Sequence, residues 1–169
     1  MIVQIRVEDK VVSTTGIICI KELKTPSILV ADDLSATSDK LMATQIKMAV
    51  EQGGYGKCMI KTTEEAIKVA NDPRAKDMRM IVLTRRVSDI YRIFKGCPGL
   101  LQEVNLARFN YREEKLAPED AVRLPNGTLS KEEVQQLREV EAAGIPVFRH
   151  YVTNEKKETL EEMLKEAGL

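Results

Sequence analysis

A chain of 169 residues, 43% hydrophobic and 31% charged, has the size and composition of one soluble globular domain spanning 1–169. Its 26 Lys and Arg balance 26 Asp and Glu, which excludes a global pull towards nucleic acid or anionic membrane. Aromatics at 4%, with no Trp, leave no stacking platform for single strands, so no nucleic-acid partner is expected.

Ile2–Val7 reads as a strand that runs into Glu8-Asp9-Lys10. Ser13-Thr14-Thr15 reads as the first turn of a helix, with a hydroxyl as its N-cap. Ile28–Ala31 is a second strand. Asp39–Glu51 carries Leu41, Met42, Ile46, Ala49 and Val50 on one helical face, and Gly53-Gly54 ends it. Lys57–Lys61 is a third strand. Thr62 and Glu65 have capping-box spacing, with Ala66, Ile67 and Ala70 following on one face until Asn71-Asp72-Pro73. Met78–Thr84 is a strongly apolar fourth strand. Val87–Lys95 is helical, and Gly96 is expected to stop it. Gln102–Leu106 is a fifth strand. The polar stretch 107–128, with Pro118, Pro125 and the turn Pro125-Asn126-Gly127, reads as a small hairpin excursion. Ser130 and Glu133 repeat the capping-box spacing ahead of Val134, Leu137 and Val140. Pro146–Val152 is the last strand and Glu155–Ala167 the last helix.

Alternating strands and helices predict an α/β fold: an open, mostly parallel sheet with helices on both faces. The unbroken apolar run Met80-Ile81-Val82-Leu83 suits a strand covered on both sides. Cys19, Cys58 and Cys97 are odd in number and form no C-x-x-C pair, so reduced thiols are expected and no disulfide framework or zinc site. No apolar run approaches the ~18 residues of a membrane span, and no signal-peptide pattern opens the chain, so a cytoplasmic protein is expected.

In such sheets ligands bind beyond the carboxyl ends of the strands. That selects the loops at 8–15, 32–38, 84–88 and 107–112. In the first, Lys10 could meet an anion while Glu8 and Asp9 orient it, and Thr14 and Thr15 open a helix whose free amides favour a phosphate. In the second, Asp32-Asp33 is either a helix cap or a carboxylate pair. In the third, Arg85-Arg86 could bind phosphate or a partner's carboxylates, or serve as surface charge. Arg108 and Arg112 could extend a positive rim. No Walker loop, G-x-G-x-x-G, G-x-S-x-G or His-rich metal set occurs, so neither cofactor nor metal is expected. The single histidine, His150, reads as structural or surface, although an imidazole titrates near neutral pH and is a competent nucleophile.

Several segments, in matching order, resemble one family. Arg6-Val7-Glu8-Asp9-Lys10-Val11-Val12-Ser13 stands in the frame R-x-D-D-R-L-I-H; Val30-Ala31-Asp32-Asp33-Leu34 resembles V-x-D-E-V; Glu64-Glu65-Ala66-Ile67 and Asn71-Asp72-Pro73 resemble E-K-A-I and N-D-P. Val104-Asn105-Leu106 resembles I-N-I, and Ala143-Gly144-Ile145 with Arg149 resembles the closing G-I-x-x-x-x-R. The family is the enzyme IIB component of the mannose/fructose/sorbose class of the bacterial phosphoenolpyruvate-dependent sugar phosphotransferase system.

The resemblance implies a single α/β domain acting as a protein-Nπ-phosphohistidine–sugar phosphotransferase. A loop histidine takes phosphate from the IIA component and passes it to a sugar arriving through membrane components IIC and IID, while a loop arginine steadies the phosphoryl group. Carried over residue by residue, the nucleophile position is Ser13, the arginine position is Lys10, and Asp9 matches the second acid. Arg6, Thr14, Thr15, Asp32, Arg85, Arg86 and Arg108 are the expected phosphate- or partner-binding residues. The implied partners are IIA, IIC and IID, with peripheral membrane association through them and self-pairing as a homodimer.

The departures from the family pattern gather at the site. H-G-Q-V has become Ser13-Thr14-Thr15-Gly16, the glycine pair after the fifth strand Ala107-Arg108, and N-P after the fourth strand Arg85-Arg86. Serine cannot form a phosphohistidine, and a serine phosphate leaves far less readily. Three expectations follow: a IIB component with an impaired or lost relay, a phosphorylation-incompetent regulator that docks a IIA-like protein or a phosphorylated ligand, or a binding module for an unrelated small molecule.

Overall fold

The computed structural model describes residues 1–24, 27–55, 58–110 and 115–169, without the side chains of Thr14 and Thr15. Ile2–Glu8 forms β1, and Ser13 caps α1, Thr14–Glu22. β2 (Ser27–Ala31) leads into a five-residue helix, α2 (Asp33–Thr37), and then α3 (Lys40–Gln52). The sequence pattern does not show α2, because five residues hold no repeating apolar face; Asp32 starts it by accepting from Ser35 N at 3.0 Å. β3 (Cys58–Lys61), α4 (Thr63–Ala70), β4 (Met80–Thr84), α5 (Val87–Gly96) and β5 (Val104–Arg108) follow. A hairpin of β6 (Ala121–Leu124) and β7 (Gly127–Ser130) precedes α6 (Lys131–Ala142). β8 (Val147–Arg149), β9 (Glu158–Thr159) and α7 (Leu160–Glu166) close the chain.

Seven strands make one sheet in the order β3-β2-β4-β1-β5-β8-β9. Its pairs are parallel except β8 with β9, so the expected α/β architecture is the one that forms. Side chains alternate between two cores. Met80 and Val82 of β4 join Leu29, Ala66, Ile90, Leu137 and Met163 on the face covered by α4, α5, α6 and α7. Ile81 and Leu83 join Ile17, Ile28, Ile46 and Val50 under α1 and α3. Both faces of β4 are therefore dry, which is why its sequence is apolar without alternation.

Both expected capping boxes, Thr62 with Glu65 and Ser130 with Glu133, are present in full. Three expectations need correction. Gly96 does not stand outside α5 as its stop; it is the last residue of the helix, where a Cβ would stand 2.8 Å from Ile67 Cγ2. Its role is to let α5 approach α4 closely. The last strand ends at Arg149 rather than Val152, because His150 and Tyr151 are pulled aside by side chains of β1 and β5. The last helix starts at Leu160, not Glu155: Thr159 caps it in a box with Glu162, after pairing with Phe148 in β9. The small hairpin expected near 107–128 forms around Pro125-Asn126, over 121–130, and its turn docks on the end of β5 through Phe109 N to Asn126 O at 3.0 Å.

Candidate functional site

β1 is central, and its connection leads to β2 on one side while that of β5 leads to β8 on the other. Diverging connections open a crevice at the carboxyl ends of adjacent strands. The loop 9–13 occupies that place. Val11 N donates to Glu8 O at 2.8 Å, and Val12 N to Lys10 O at 2.6 Å. This tight turn puts Val11 at φ 61, a left-handed backbone that costs a β-branched residue on the order of 1–3 kcal/mol. Burial of Val11 and Val12 in the α1/α3 core holds the turn there. Lys10 is left exposed at its tip.

Ser13 follows with extended backbone, and its Oγ accepts from Gly16 N at 3.0 Å. The hydroxyl at the nucleophile position thus satisfies the first turn of α1. Gly16 is required for a second reason: a Cβ there would stand 2.8 Å from Glu8 Oε2, 3.3 Å from Ser13 Oγ and 3.5 Å from Arg6 Nε. α1 therefore rests directly on a buried ion pair.

That pair is Arg6 Nε with Glu8 Oε2 at 3.1 Å, the two side chains 1% and 4% exposed. They lie on the same face of β1 because residues two apart on a strand do. Arg6 also donates through Nη1 to His150 O at 3.0 Å and through Nη2 to Tyr151 O at 3.1 Å. Its neighbour across the sheet, Asn105, donates Nδ2 to His150 O and accepts from His150 N, both at 3.0 Å. Cys19 Sγ on α1 reaches Tyr151 O at 3.4 Å. The chain leaving β8 is thereby drawn across β5 towards β1. Arg6, expected to bind phosphate or a partner, is buried and spends its donors on this clamp.

On the β4 side, Arg85 is buried as well. Its Nη2 meets Asp32 Oδ2 at 2.6 Å and Ser35 Oγ at 2.9 Å, with Asp39 Oδ2 at 3.9 Å. Asp32 acts as a helix cap and ion-pair partner. Arg86 is half-exposed and opens α5, its amide donating to Thr84 Oγ1 at 3.4 Å. Beside it, Asp33 accepts from Thr63 N at 2.8 Å and lies 3.5 Å from Arg92. Burial pushes the Asp33 carboxyl up, but the Thr63 amide and the charges of Arg92 and Arg86 outweigh it and hold it below the ordinary 3.8. Asp89, fixed by Thr63, Thr84 and Arg92, is pushed the other way by burial.

On the β5 side, Arg108 is more than half exposed and its Nε lies 3.6 Å from Asp9 Oδ2. It borders a cavity of about 280 Å³ lined also by Asn126, Arg149, Tyr151 and Glu155. Asn126 is pinned there by donating Nδ2 to Leu106 O. Arg149 is paired with Glu158 at 2.7 Å.

The strand order brings Asp9, Lys10, Ser13 and Arg108 to the β1–β5 crevice, with Arg85 and Arg86 on the opposite flank of β1. The side chains of Thr14 and Thr15, and all of Arg112, lie outside the described residues. Sequence reasoning missed Glu8 as a partner of Arg6, Asn105, and the main chain of His150 and Tyr151. The i, i+2 spacing of Arg6 and Glu8 on one strand was the available signal for the first. Among the described residues no group of three or more His, Cys, Asp or Glu could hold a metal ion, and no helix is long and apolar enough to cross a membrane. The three cysteines are free thiols.

The family profile described as PTS system sorbose subfamily IIB component matches residues 2–169. A "Probable phosphotransferase enzyme IIB component" of Streptococcus pyogenes serotype M6 is 35% identical over 167 residues, covering 97% of this chain and 99% of that protein. Among solved structures, the IIBSor domain of the sorbose permease from Klebsiella pneumoniae superposes with a TM-score of 0.81 at 17% identity, over 98% of this chain and 97% of that one. The N-acetylgalactosamine-specific IIB component 1 from Escherichia coli gives 0.76 at 19% identity, over 95% and 99%. The two structural likenesses concern the fold.

Proposed function

Since the chain belongs to the sorbose subfamily of phosphotransferase-system IIB components, we propose that it is such a component with its relay through position 13 lost and its docking of a IIA-type partner retained. IIB components of this family work with IIA and with membrane IIC and IID partners. The observation that carries the reading is the work of Ser13 Oγ as the cap of α1. A serine nucleophile needs a neighbouring base, and among the described residues the hydrogen bond at this oxygen comes from the Gly16 amide. A serine ester, once formed, would also hold its phosphate too firmly for onward transfer. Docking is supported by an intact fold and by Lys10, Arg86 and Arg108 at the exits of β1, β4 and β5. The two arginines lining the cavity beside β5 favour a second reading, a regulator that binds a phosphorylated ligand.

The test incubates the chain with phosphoenolpyruvate, enzyme I, the histidine carrier and the cognate IIA protein, followed by intact mass and peptide mapping. The reading expects no phosphate at Ser13, acid-labile phosphate at position 13 in Ser13→His, and co-elution of the wild type with IIA. Rapidly turning-over phosphoserine at position 13, or no association with IIA, would refute it.

A further inference from the structure

Two helices, α1 and α3, cover one face of the sheet side by side. Ile17 and Ile20 of the first and Ile46 and Val50 of the second bury against Ile28, Val30, Ile81 and Leu83. They pack closely, for a Cβ on Gly53 at the end of α3 would stand 2.5 Å from Ile17 Cγ2. Their outer surface is unusual. Leu41 is 72% exposed, and Met48 and Ile18 are each 53% exposed, whereas among the described residues α4, α5, α6 and α7 on the opposite face expose no large apolar side chain. Leu41 and Met48 are two helical turns apart, so they form one stripe opposite Ile46 and Val50. Lys40 and Lys47 precede them with the same spacing and form a second stripe alongside. Lys21 and Lys24 stand exposed at the end of α1. Among the described residues none of these four lysines meets a carboxylate within ion-pair distance. On the opposite face Arg92, Lys95 and Lys165 do, with Glu64, Glu139 and Glu161 at 3.3, 3.3 and 2.9 Å. Glu22 and Glu51 are the exposed acids of α1 and α3, and Asp39, the cap of α3, is engaged with Met42 N and Arg85. The face therefore carries more positive than negative charge.

We propose that this outer face of α1 and α3 rests directly on an anionic lipid surface, with Leu41, Met48 and Ile18 set among the headgroups and Lys21, Lys40 and Lys47 on the lipid phosphates. The lysine stems run beside the apolar stripe and carry their ammonium groups to headgroup level. Charge chooses this occupant over a second copy of the chain. A two-fold contact through the same face would bring one set of unpaired lysines against the other. Three apolar side chains also fall short of the buried core of a stable protein interface, while basic residues beside exposed apolar ones suit a headgroup layer. The balanced charge of the whole chain does not cancel the attraction, because screening over about 8 Å leaves only the facing groups to count. None of these residues belongs to the crevice at the carboxyl ends of the strands, so the inference depends on neither a relay nor a IIA partner.

The experiment sediments the full chain with protein-free vesicles of phosphatidylcholine, with and without phosphatidylglycerol as the anionic lipid. The wild type should bind the mixed vesicles, be released by added salt, and ignore phosphatidylcholine alone. Lys40→Gln with Lys47→Gln should weaken partitioning by about fivefold per lysine. Leu41→Ser with Met48→Ser should weaken it too, while keeping its salt dependence. Lys156→Gln with Lys165→Gln removes the same charge elsewhere and should leave binding as it is. All of these positions are exposed, so the thermal midpoint of each variant should match the wild type. No binding to the mixed vesicles overturns the proposal, as does an equal loss in the Lys156/Lys165 variant. A wild type that sediments as a dimer without vesicles, and as a monomer once Leu41 and Met48 are replaced, overturns it in favour of a second copy. A failed relay or IIA-docking reading would leave these vesicle results unchanged.

Discussion

Arg6 and His150 are 144 residues apart, yet the guanidinium of one donates to the carbonyl of the other at 3.0 Å. The contact ties the first strand to the segment that leaves β8. Arg6 also neutralises Glu8, which is buried. Removing one member of such a pair strands the other as a buried charge, which costs about 3–5 kcal/mol. Arg6→Met should therefore lower stability by about that amount in urea denaturation. Arg6→Met with Glu8→Gln should be less destabilised than Arg6→Met alone. If the double variant is no better, the stranded Glu8 charge is not the source of the loss.

Gly16→Ala sets two effects against each other. Alanine gains up to about 1 kcal/mol in helix propensity. Its Cβ, however, meets Glu8 Oε2 at 2.8 Å, and Arg6 keeps that oxygen from moving away. Overpacking of this kind costs about 1–3 kcal/mol, so the variant should be less stable than the wild type. A raised thermal midpoint would show that Glu8 yields freely.

Ser13→Ala removes the cap of α1 and should cost about 1 kcal/mol. Ser13→Asp keeps a capping oxygen and should recover most of it. Chemical denaturation of the two variants gives the comparison. Equal loss in both would mean that the hydroxyl does not cap the helix in solution.

Asp33 supplies a pH dependence of known sign. Its carboxyl is held below the ordinary 3.8 in the folded chain, so its contribution is full above that value and is lost as pH falls through the folded value. Asp33→Asn can still accept from Thr63 N but carries no charge. The stability advantage of the wild type over this variant should shrink from about pH 6 to about pH 3. An advantage that grows on acidification would reverse the assignment.

Local signals survived translation into structure. Thr62 with Glu65 and Ser130 with Glu133 were legible because a capping box is complete within four residues. The parallel sheet was legible because strands such as Met80–Thr84 are apolar throughout. Distant contacts were not legible. No pattern around Val147–Val152 reveals that Arg6 and Asn105 will end the strand at Arg149. An arginine near a phosphate-type loop reads as a ligand-binding cation, and only the partners of Arg6 and Arg85 show that both are interior struts. Gly96 looks like a stop because its neighbour across the helix interface, Ile67, is 29 positions away in sequence.

The buried pair Arg85–Asp32 beside the end of β4 and the pair Arg6–Glu8 on β1 have a shared consequence. Each is held by residues other than position 13: Arg6 also by the carbonyls of His150 and Tyr151, Arg85 also by Ser35. The scaffold around the loop is thus self-supporting, and position 13 is an interchangeable part within it. A lineage can exchange the residue there at the cost of one helix cap, without dismantling the frame.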